Sequence, residues 1–247
     1  MAFEPVNAIG PEFLSAFEAR FDAVLADSTV SVVVLTSALR IFSAGADATW
    51  MGRVVSEHGA ASLLDEFEPA MNRLRHVARR IRSSDLLFIA AINGHALAGG
   101  LELAAACDLR FAADEPKIRI GVSEMELFGV LPSGGGGTQF LRQIMGPGRA
   151  LEFILDAKPC SPEKALAIGV IERLVPADQL VATAQEFGRR LAARAGRIGI
   201  NAAKRAILDA ASMPYEEAMA LDHAVHWHAM HNGGFIPGVE DFVRRFG

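Results

Sequence analysis

Two apolar, β-rich runs in this chain each break into small residues and then turn helical, and no other feature restricts its fold as much. The run VSVVVLTS (30–37) precedes IFSAGAD (41–47), and LLFIAAI (86–92) leads into INGHALAGGLELAAACD (92–108). Runs of this length without polar alternation predict strands covered on both faces, the habit of parallel sheets. A strand, a small-residue corner and a helix, taken twice, predict an α/β chain of repeated units rather than a bundle or a sandwich. Small residues at such corners also leave backbone N–H groups open to close approach by a ligand.

Periodicity extends the pattern along the chain. Pro11-Glu12 opens an amphipathic helix whose Phe13, Phe17, Phe21 and Val24 recur at spacings of three and four. Residues 48–84 read as polar helix with a basic stripe of Arg73, Arg75, Arg79, Arg80 and Arg82, taken first as a solvated face and second as a phosphate contact. LRFAAD (109–114) and KIRIGV (117–122) read as two short strands joined at Asp114-Glu115-Pro116. The stretch 123–137, which ends in four successive glycines, reads as a loop before a helix. Helices near 149–157 and 162–168 and a strand at 170–175 follow. From residue 177 the pattern is almost wholly helical, broken near Gly196 and at Ser212-Met213-Pro214. We expect a β/α core over 1–195 and a helical C-terminal layer over 196–247.

A hydrophobic content of 51% supports a sizeable core, and a net charge of −5 favours no polyanionic partner such as nucleic acid. Cys107 and Cys160 lack metal-type spacing and read as free buried thiols. No secretory pattern opens the sequence and no apolar run is long enough to span a bilayer, so a cytoplasmic protein with no membrane partner is expected.

Three motifs suggest chemistry that their neighbours do not support. Gly134–Gly137 imitates a phosphate cradle, but Thr138-Gln139 follows where a P-loop needs Lys and then Ser or Thr. The stretch Gly121-Val122-Ser123-Glu124-Met125 lacks the closing glycine of a nucleophile elbow. His223, His226, His228 and His231 form i, i+3 pairs, which on a helix more often face solvent or a partner subunit than a metal, so no metal site is assigned.

The second corner carries more. Gly99 and Gly100 stand where a helix starts, and the first N–H groups of a helix lack internal partners and share the positive end of its dipole. An oxygen gaining negative charge is stabilised there. Glu102 lies two residues past Gly100 and can project into the same cleft; the structural alternative makes the glycines a packing need and Glu102 a favourable first-turn carboxylate. In the first corner, Ser43-Ala44-Gly45-Ala46-Asp47 by itself means only a turn and an N-cap. Facing each other, the two corners would hold one oxygen between two N–H donors.

With both corners in view, the chain resembles the enoyl-CoA hydratase/isomerase (crotonase) family over residues 7–246. The likeness rests on Val32-Val33-Val34-Leu35-Thr36, Phe42-Ser43-Ala44-Gly45-Ala46-Asp47 and Ala91-Ile92-Asn93-Gly94-His95-Ala96 through Gly99-Gly100-Leu101-Glu102-Leu103 to Cys107-Asp108. It continues through Gly135-Gly136-Gly137-Thr138-Gln139 and 165–176. The resemblance implies a spiral of repeated ββα units with a helical C-terminal layer, assembled as a homotrimer or a dimer of trimers through 196–247. It implies an acyl-coenzyme A thioester as substrate and no further cofactor. The Ala46 and Gly99 amides would bind the thioester oxygen, and Ala44, Asp47 and Gly100 would line the substrate site. Trp50 and Met51 would line the acyl tunnel.

Hydration in this family uses two glutamates around one water. Glu102 matches the first. Reading forward from Ile120-Gly121 puts the second at Glu124, and counting back from Gly129 puts Met125 there; Glu124 is chosen, with Glu126 in reserve. The leading expectation is an enoyl-CoA hydratase. A double-bond isomerase and a non-catalytic acyl-CoA binder are the alternatives. Three departures from the family bear on CoA affinity and substrate choice. Only six residues precede Asn7, so the family's opening β-hairpin is expected to be missing or lost at an alternative start, and the sheet edge must be protected otherwise. Thr49 replaces a basic residue, for which Arg53 is the nearest substitute, and Pro237 stands where an acidic residue is common.

Overall fold

A computed structural model describes residues 1–246. Helix α1 (Pro11–Ala26) begins on a proline whose missing N–H costs nothing at the first helical position. Its buried face is an aromatic ladder, with Phe13, Phe17 and Phe21 stacked at 5.8 and 6.0 Å between ring centroids. Strand β1 (Val32–Leu35) follows, then α2 (Ala48–His58) and α3 (Leu63–Ser83). The ladder ends on Phe88 of β2 (Leu87–Ile92), 5.8 Å from Phe21, which seats α1 on one face of the sheet.

After β2 come β3 (Ala96–Leu97), α4 (Gly99–Ala106) and β4 (Leu109–Ala113), then β5 (Ile120–Gly121) and α5 (Glu124–Phe128). Helices α6 (Gly137–Met145), α7 (Pro147–Asp156) and α8 (Pro162–Ala167) lead to β6 (Arg173–Val175). Strands β1, β2, β4 and β6 form one parallel sheet in the order β1-β2-β4-β6. A second layer is made of short pieces. Ile9 bridges Ala46, Ser43 bridges Ala96, β3 pairs with β5, and Ile120 bridges Cys160. Each turn of the chain thus gives one strand to the sheet, one short segment to the second layer and then a helix, the repeated ββα plan.

LRFAAD and KIRIGV hold the two expected short strands, β4 and β5, and because β2 and β6 occupy both sides of β4, β5 crosses to the second layer. The structure corrects one local reading. The stretch read as loop holds the short helix α5, which Gly129 ends in the left-handed conformation (φ 67) while donating to Glu124 and Met125 carbonyls. Two-residue β3 has no periodicity to detect.

Helix α9 (Leu180–Lys204) covers the other face of the sheet and breaks at Gly196, whose φ of 57 and ψ of −176 suit glycine. Beyond the break, the buried Lys204 Nζ donates to the Ile81 and Leu86 carbonyls, both at 2.9 Å, and lies 3.1 Å from Asp108 Oδ2. A second buried cation, Arg110, donates to Cys107 O at 2.7 Å and pairs with Glu172. Of these carbonyls, Ile81 O at the end of α3 and Cys107 O at the C-cap of α4 lack helical partners. Helices α10 (Tyr215–Asn232) and α11 (Phe235–Phe246) complete the C-terminal layer. At the open side of the sheet, Met1 sits beside the outer end of β1, its ammonium donating to Thr36 O at 2.6 Å and its carbonyl accepting from Ala38 N at 2.7 Å.

Candidate active site

The two corners interlock through their backbones. Ser43 N donates to His95 O and Leu97 N to Ser43 O, each at 3.0 Å. On the opposite side, Ile9 N donates to Gly45 O at 2.7 Å and Asp47 N to Ile9 O at 3.1 Å. Gly45 O and Ala46 N–H belong to one trans peptide, so the Ala46 amide points away from Ile9. Gly45 makes the approach possible. Its φ is +88, and a Cβ there would lie 2.7 Å from Ala98 Cβ and 3.3 Å from Gly99 N. Gly100 serves the same contact from the other side, since its Cβ would lie 2.7 Å from Ser43 O. Among the described residues, neither the Ala46 nor the Gly99 amide has a protein acceptor.

Ala98 precedes Gly99 in a backbone conformation rare for a residue with a side chain, φ 49 and ψ −125, and donates to Gly121 O at 2.9 Å. That ψ sets the plane of the following peptide and hence the aim of the Gly99 N–H. The surrounding packing holds the strain in place.

The other residues expected at the site fall into two groups. Asp47 is the N-cap of α2, accepting from Thr49 N and Trp50 N at 2.9 and 3.0 Å. Trp50 is buried and stacks on Phe67 with ring centroids 6.1 Å apart, and half-buried Met51 packs on the same core. These three shape the helix beside the corner rather than baring polar atoms in it. Ala44 is half-buried on the corner itself, with its N–H bound to Val6 O at 3.1 Å.

Glu102, on the first turn of α4, is only 3% exposed. Its Oε2 accepts from Gly135 N at 3.0 Å and its Oε1 from Gly137 N at 2.8 Å. Burial raises its pKa, while those amides and the Arg75 charge oppose the rise. Glu124 is half-buried, with Oε2 accepting from Ser123 N at 2.8 Å. Burial raises its pKa too, its own backbone amide opposes that, and the charge of Glu102 adds to the rise. The charge of Glu102 thus disfavours the ionised form of Glu124. Met125 is half-buried, and Glu126 is exposed.

The glycine run before α6 closes on the carboxylate of α4. It is the cradle of Glu102: a Cβ at Gly137 would lie 2.7 Å from Glu102 Cγ, and one at Gly135 would lie 3.1 Å from Glu102 Cβ. Four glycines before a helix are a signal of close backbone approach, but nothing local says which side chain approaches. The basic stripe is largely internal bracing. Arg73 pairs with Glu18 at 2.8 Å and Arg80 with Asp22 at 2.6 Å, tying α3 to α1.

The profile of the family described as "Enoyl-CoA hydratase/isomerase" matches residues 2–246. Among curated proteins, the fatty acid oxidation complex subunit alpha of Shewanella frigidimarina (strain NCIMB 400) is 35% identical over 188 residues, 76% of this chain and 25% of that protein. The peroxisomal fatty acid beta-oxidation multifunctional protein MFP2 of Arabidopsis thaliana is 34% identical over 194 residues, 77% of this chain and again 25% of the relative. The chain matches about a quarter of the length of these relatives. Among solved structures, an enoyl-CoA hydratase from Bacillus anthracis superposes with a TM-score of 0.85 at 28% identity, covering 97% of this chain and 88% of the other. One from Thermoplasma volcanium GSS1 gives 0.78 at 28%, covering 99% and 90%.

Proposed function

The chain belongs to the enoyl-CoA hydratase/isomerase family, and from that premise we propose that it is an enoyl-CoA hydratase, adding water to a trans-2-enoyl-CoA. The two unpartnered amides on facing corners carry this reading. A thioester oxygen lodged between Ala46 N–H and Gly99 N–H gains stabilisation as it takes on enolate charge, helped by the positive end of α4. Glu102, held by two amides that favour its ionised form, is the base that takes a proton from water as its oxygen bonds to the β-carbon. Glu124, with fewer donors around it and a charged neighbour, is the acid that delivers a proton to the α-carbon. Electrons from the C=C bond pass into the thioester enolate and return to form the new C–H bond. Solvent exchange restores the proton on Glu124 and removes that on Glu102, and no cofactor beyond the CoA of the substrate enters.

The test is hydration of crotonyl-CoA by the purified protein. Wild type is expected to turn over, and Glu102→Gln and Glu124→Gln are each expected to lose about 100-fold or more. No hydration by folded wild type would overturn the reading. A double-bond shift is the second reading, because its proton relay needs one carboxylate and Glu124 is the more open of the two. It predicts that Glu102→Gln keeps isomerase activity while Glu124→Gln loses it. An acyl-CoA binder would bind and never turn over.

Because the relatives carry fatty acid oxidation in their names, an acyl chain from that chemistry is the substrate class we propose. Helix α11 presents Phe235, Val239, Phe242, Val243 and Phe246 on one stripe, all of them exposed in the single chain. A stripe of that kind needs cover, and a homotrimer or dimer of trimers through 196–247 would supply it. A cytoplasmic location belongs to the same reading; among the described residues no helix is long and apolar enough to cross a membrane.

A further inference from the structure

A run of four glycines is the most pliable segment a chain can carry, yet two of its amides grip the carboxylate assigned as base. Something must hold the run still. At its far end, Thr138 N and Oγ1 donate to Pro132 O at 3.0 and 3.3 Å, closing the loop on itself. Along its length, one face of α3 supplies the bed. A Cβ at Gly134 would lie 2.6 Å from Met71 Sδ, and one at Gly135 would lie 3.2 Å from Leu74 Cδ2. These contacts are apolar and without direction, so they exclude water but do not set the rotation of a peptide plane.

The third residue of that face does. Met71, Leu74 and Arg75 stand at i, i+3 and i+4 on α3. Arg75 Nη2 donates to Ser133 O at 2.9 Å, immediately before the first glycine, while its Nη1 donates to Asn72 Oδ1 at 3.2 Å. Its neighbours in the stripe, Arg73 and Arg80, are paired with carboxylates on α1. Arg75 instead has a carbonyl of the loop as its partner. The planar fork, fixed at one corner by Asn72, gives the other corner a defined aim.

We propose that Arg75 is a positioning residue that pins the entry of the glycine loop, so that the Gly135 and Gly137 amides keep the Glu102 carboxylate aimed into the cleft. The catalytic half of this proposal rests on the hydratase reading; the tether itself does not. Charged groups around Glu102 come from two elements, Arg75 on α3 and Glu124 on α5, while the glycine loop contributes only amides. Removing Arg75 takes away a cation and loosens two donors, and both changes disfavour the ionised carboxylate.

The experiment compares wild type, Arg75→Ala and the control Arg79→Ala, one helical turn further along the same exposed stripe. Amide hydrogen exchange of the peptide covering 130–140 reads the tether without reference to activity. In Arg75→Ala it is expected to quicken about tenfold, and in Arg79→Ala to stay as in wild type. With crotonyl-CoA, Arg75→Ala is expected to lower kcat about tenfold with KM little changed, since misplacement by about 1 Å is costly at a reacting centre. The acidic limb of its pH profile should move to higher pH, which loss of stability alone would not do. Unchanged exchange in Arg75→Ala overturns the tether. Faster exchange with wild-type kcat and an unmoved acidic limb overturns the link to Glu102. If wild type itself fails to hydrate, the hydratase reading and the catalytic half fall together, and exchange alone decides the tether.

Discussion

Gly137 N lies 2.8 Å from Glu102 Oε1, a hydrogen bond between residues 35 apart in sequence that joins the start of α6 to the first turn of α4. The contact leaves no room for a side chain, because a Cβ at Gly137 would come within 2.7 Å of Glu102 Cγ and 2.8 Å of Pro132 O. Alanine is the better helix former, by about 1 kcal/mol, so propensity alone says Gly137→Ala should stabilise α6. Overlap with a buried carboxylate and a fixed carbonyl outweighs that gain. Gly137→Ala is expected to lose about 1–3 kcal/mol in urea denaturation and at least about 100-fold in hydration, since Glu102 must move. Wild-type turnover in this variant would show that the cradle is not needed for Glu102 to work.

The pH dependence of hydration follows from the paired carboxyls. Burial raises the pKa of both Glu102 and Glu124, and the charge of Glu102 adds to the rise at Glu124. Activity needs the pair with one proton, on Glu124. The kcat/KM profile should therefore be a bell whose acidic limb reports loss of the first proton and whose alkaline limb reports loss of the second. Both limbs should lie above the ordinary carboxylate range. In Glu124→Gln the residual activity should lose its alkaline limb and keep the acidic one; a residual profile without the acidic limb would count against Glu102 as base.

Arg197, just past the break in α9, donates to both oxygens of Asp85 at 2.6 and 2.7 Å and to the Asp27 and Val30 carbonyls ahead of β1. The guanidinium beside it holds the Asp85 carboxyl below its usual pKa. A depressed acid stabilises the fold above its unfolded pKa, and that contribution disappears as pH falls through the folded value. Asp85 is half-exposed, so Arg197→Gln is expected to cost about 1 kcal/mol at neutral pH. The gap between wild type and variant should hold from neutrality down to about pH 4 and then narrow. A gap that widens in acid would contradict the assignment.

Phe242 is 63% exposed on the apolar stripe of α11. If that stripe is the subunit contact, Phe242→Asp places a charge in a desolvated interface and should shift the protein toward monomer in sedimentation, with the single-chain fold kept. An unchanged sedimentation coefficient would remove α11 from the interface.

Much of the fold was readable along the chain. The β-branched run at 32–35 and the apolar run at 87–92 form strands paired in parallel, β1 at the sheet's edge and β2 inside it, because apolar runs without polar alternation pack on both faces. The Phe13, Phe17 and Phe21 spacing marks the buried face of α1, because residues three and four apart share a side of a helix. The corner glycines were legible as points of close approach, and Glu102 as a carboxylate at a helix start. Asp47 carried its meaning locally as well, since capping is a contact between a side chain and amides two and three residues on.

Contacts between distant segments were not legible, and for one physical reason. Hydrophobic pattern and turn chemistry act over a few residues, whereas the hold of Gly135 and Gly137 on Glu102, of Arg75 on Ser133 and of Lys204 on Asp108 joins segments set side by side only when the spiral closes. So the chain's own order of residues specified strands, corners, helices and the kind of group offered at each. Folding in three dimensions chose which amides face each other, which carboxylate loses its water and which arginine meets the glycine loop, because burial and hydrogen-bond geometry exist only between packed elements.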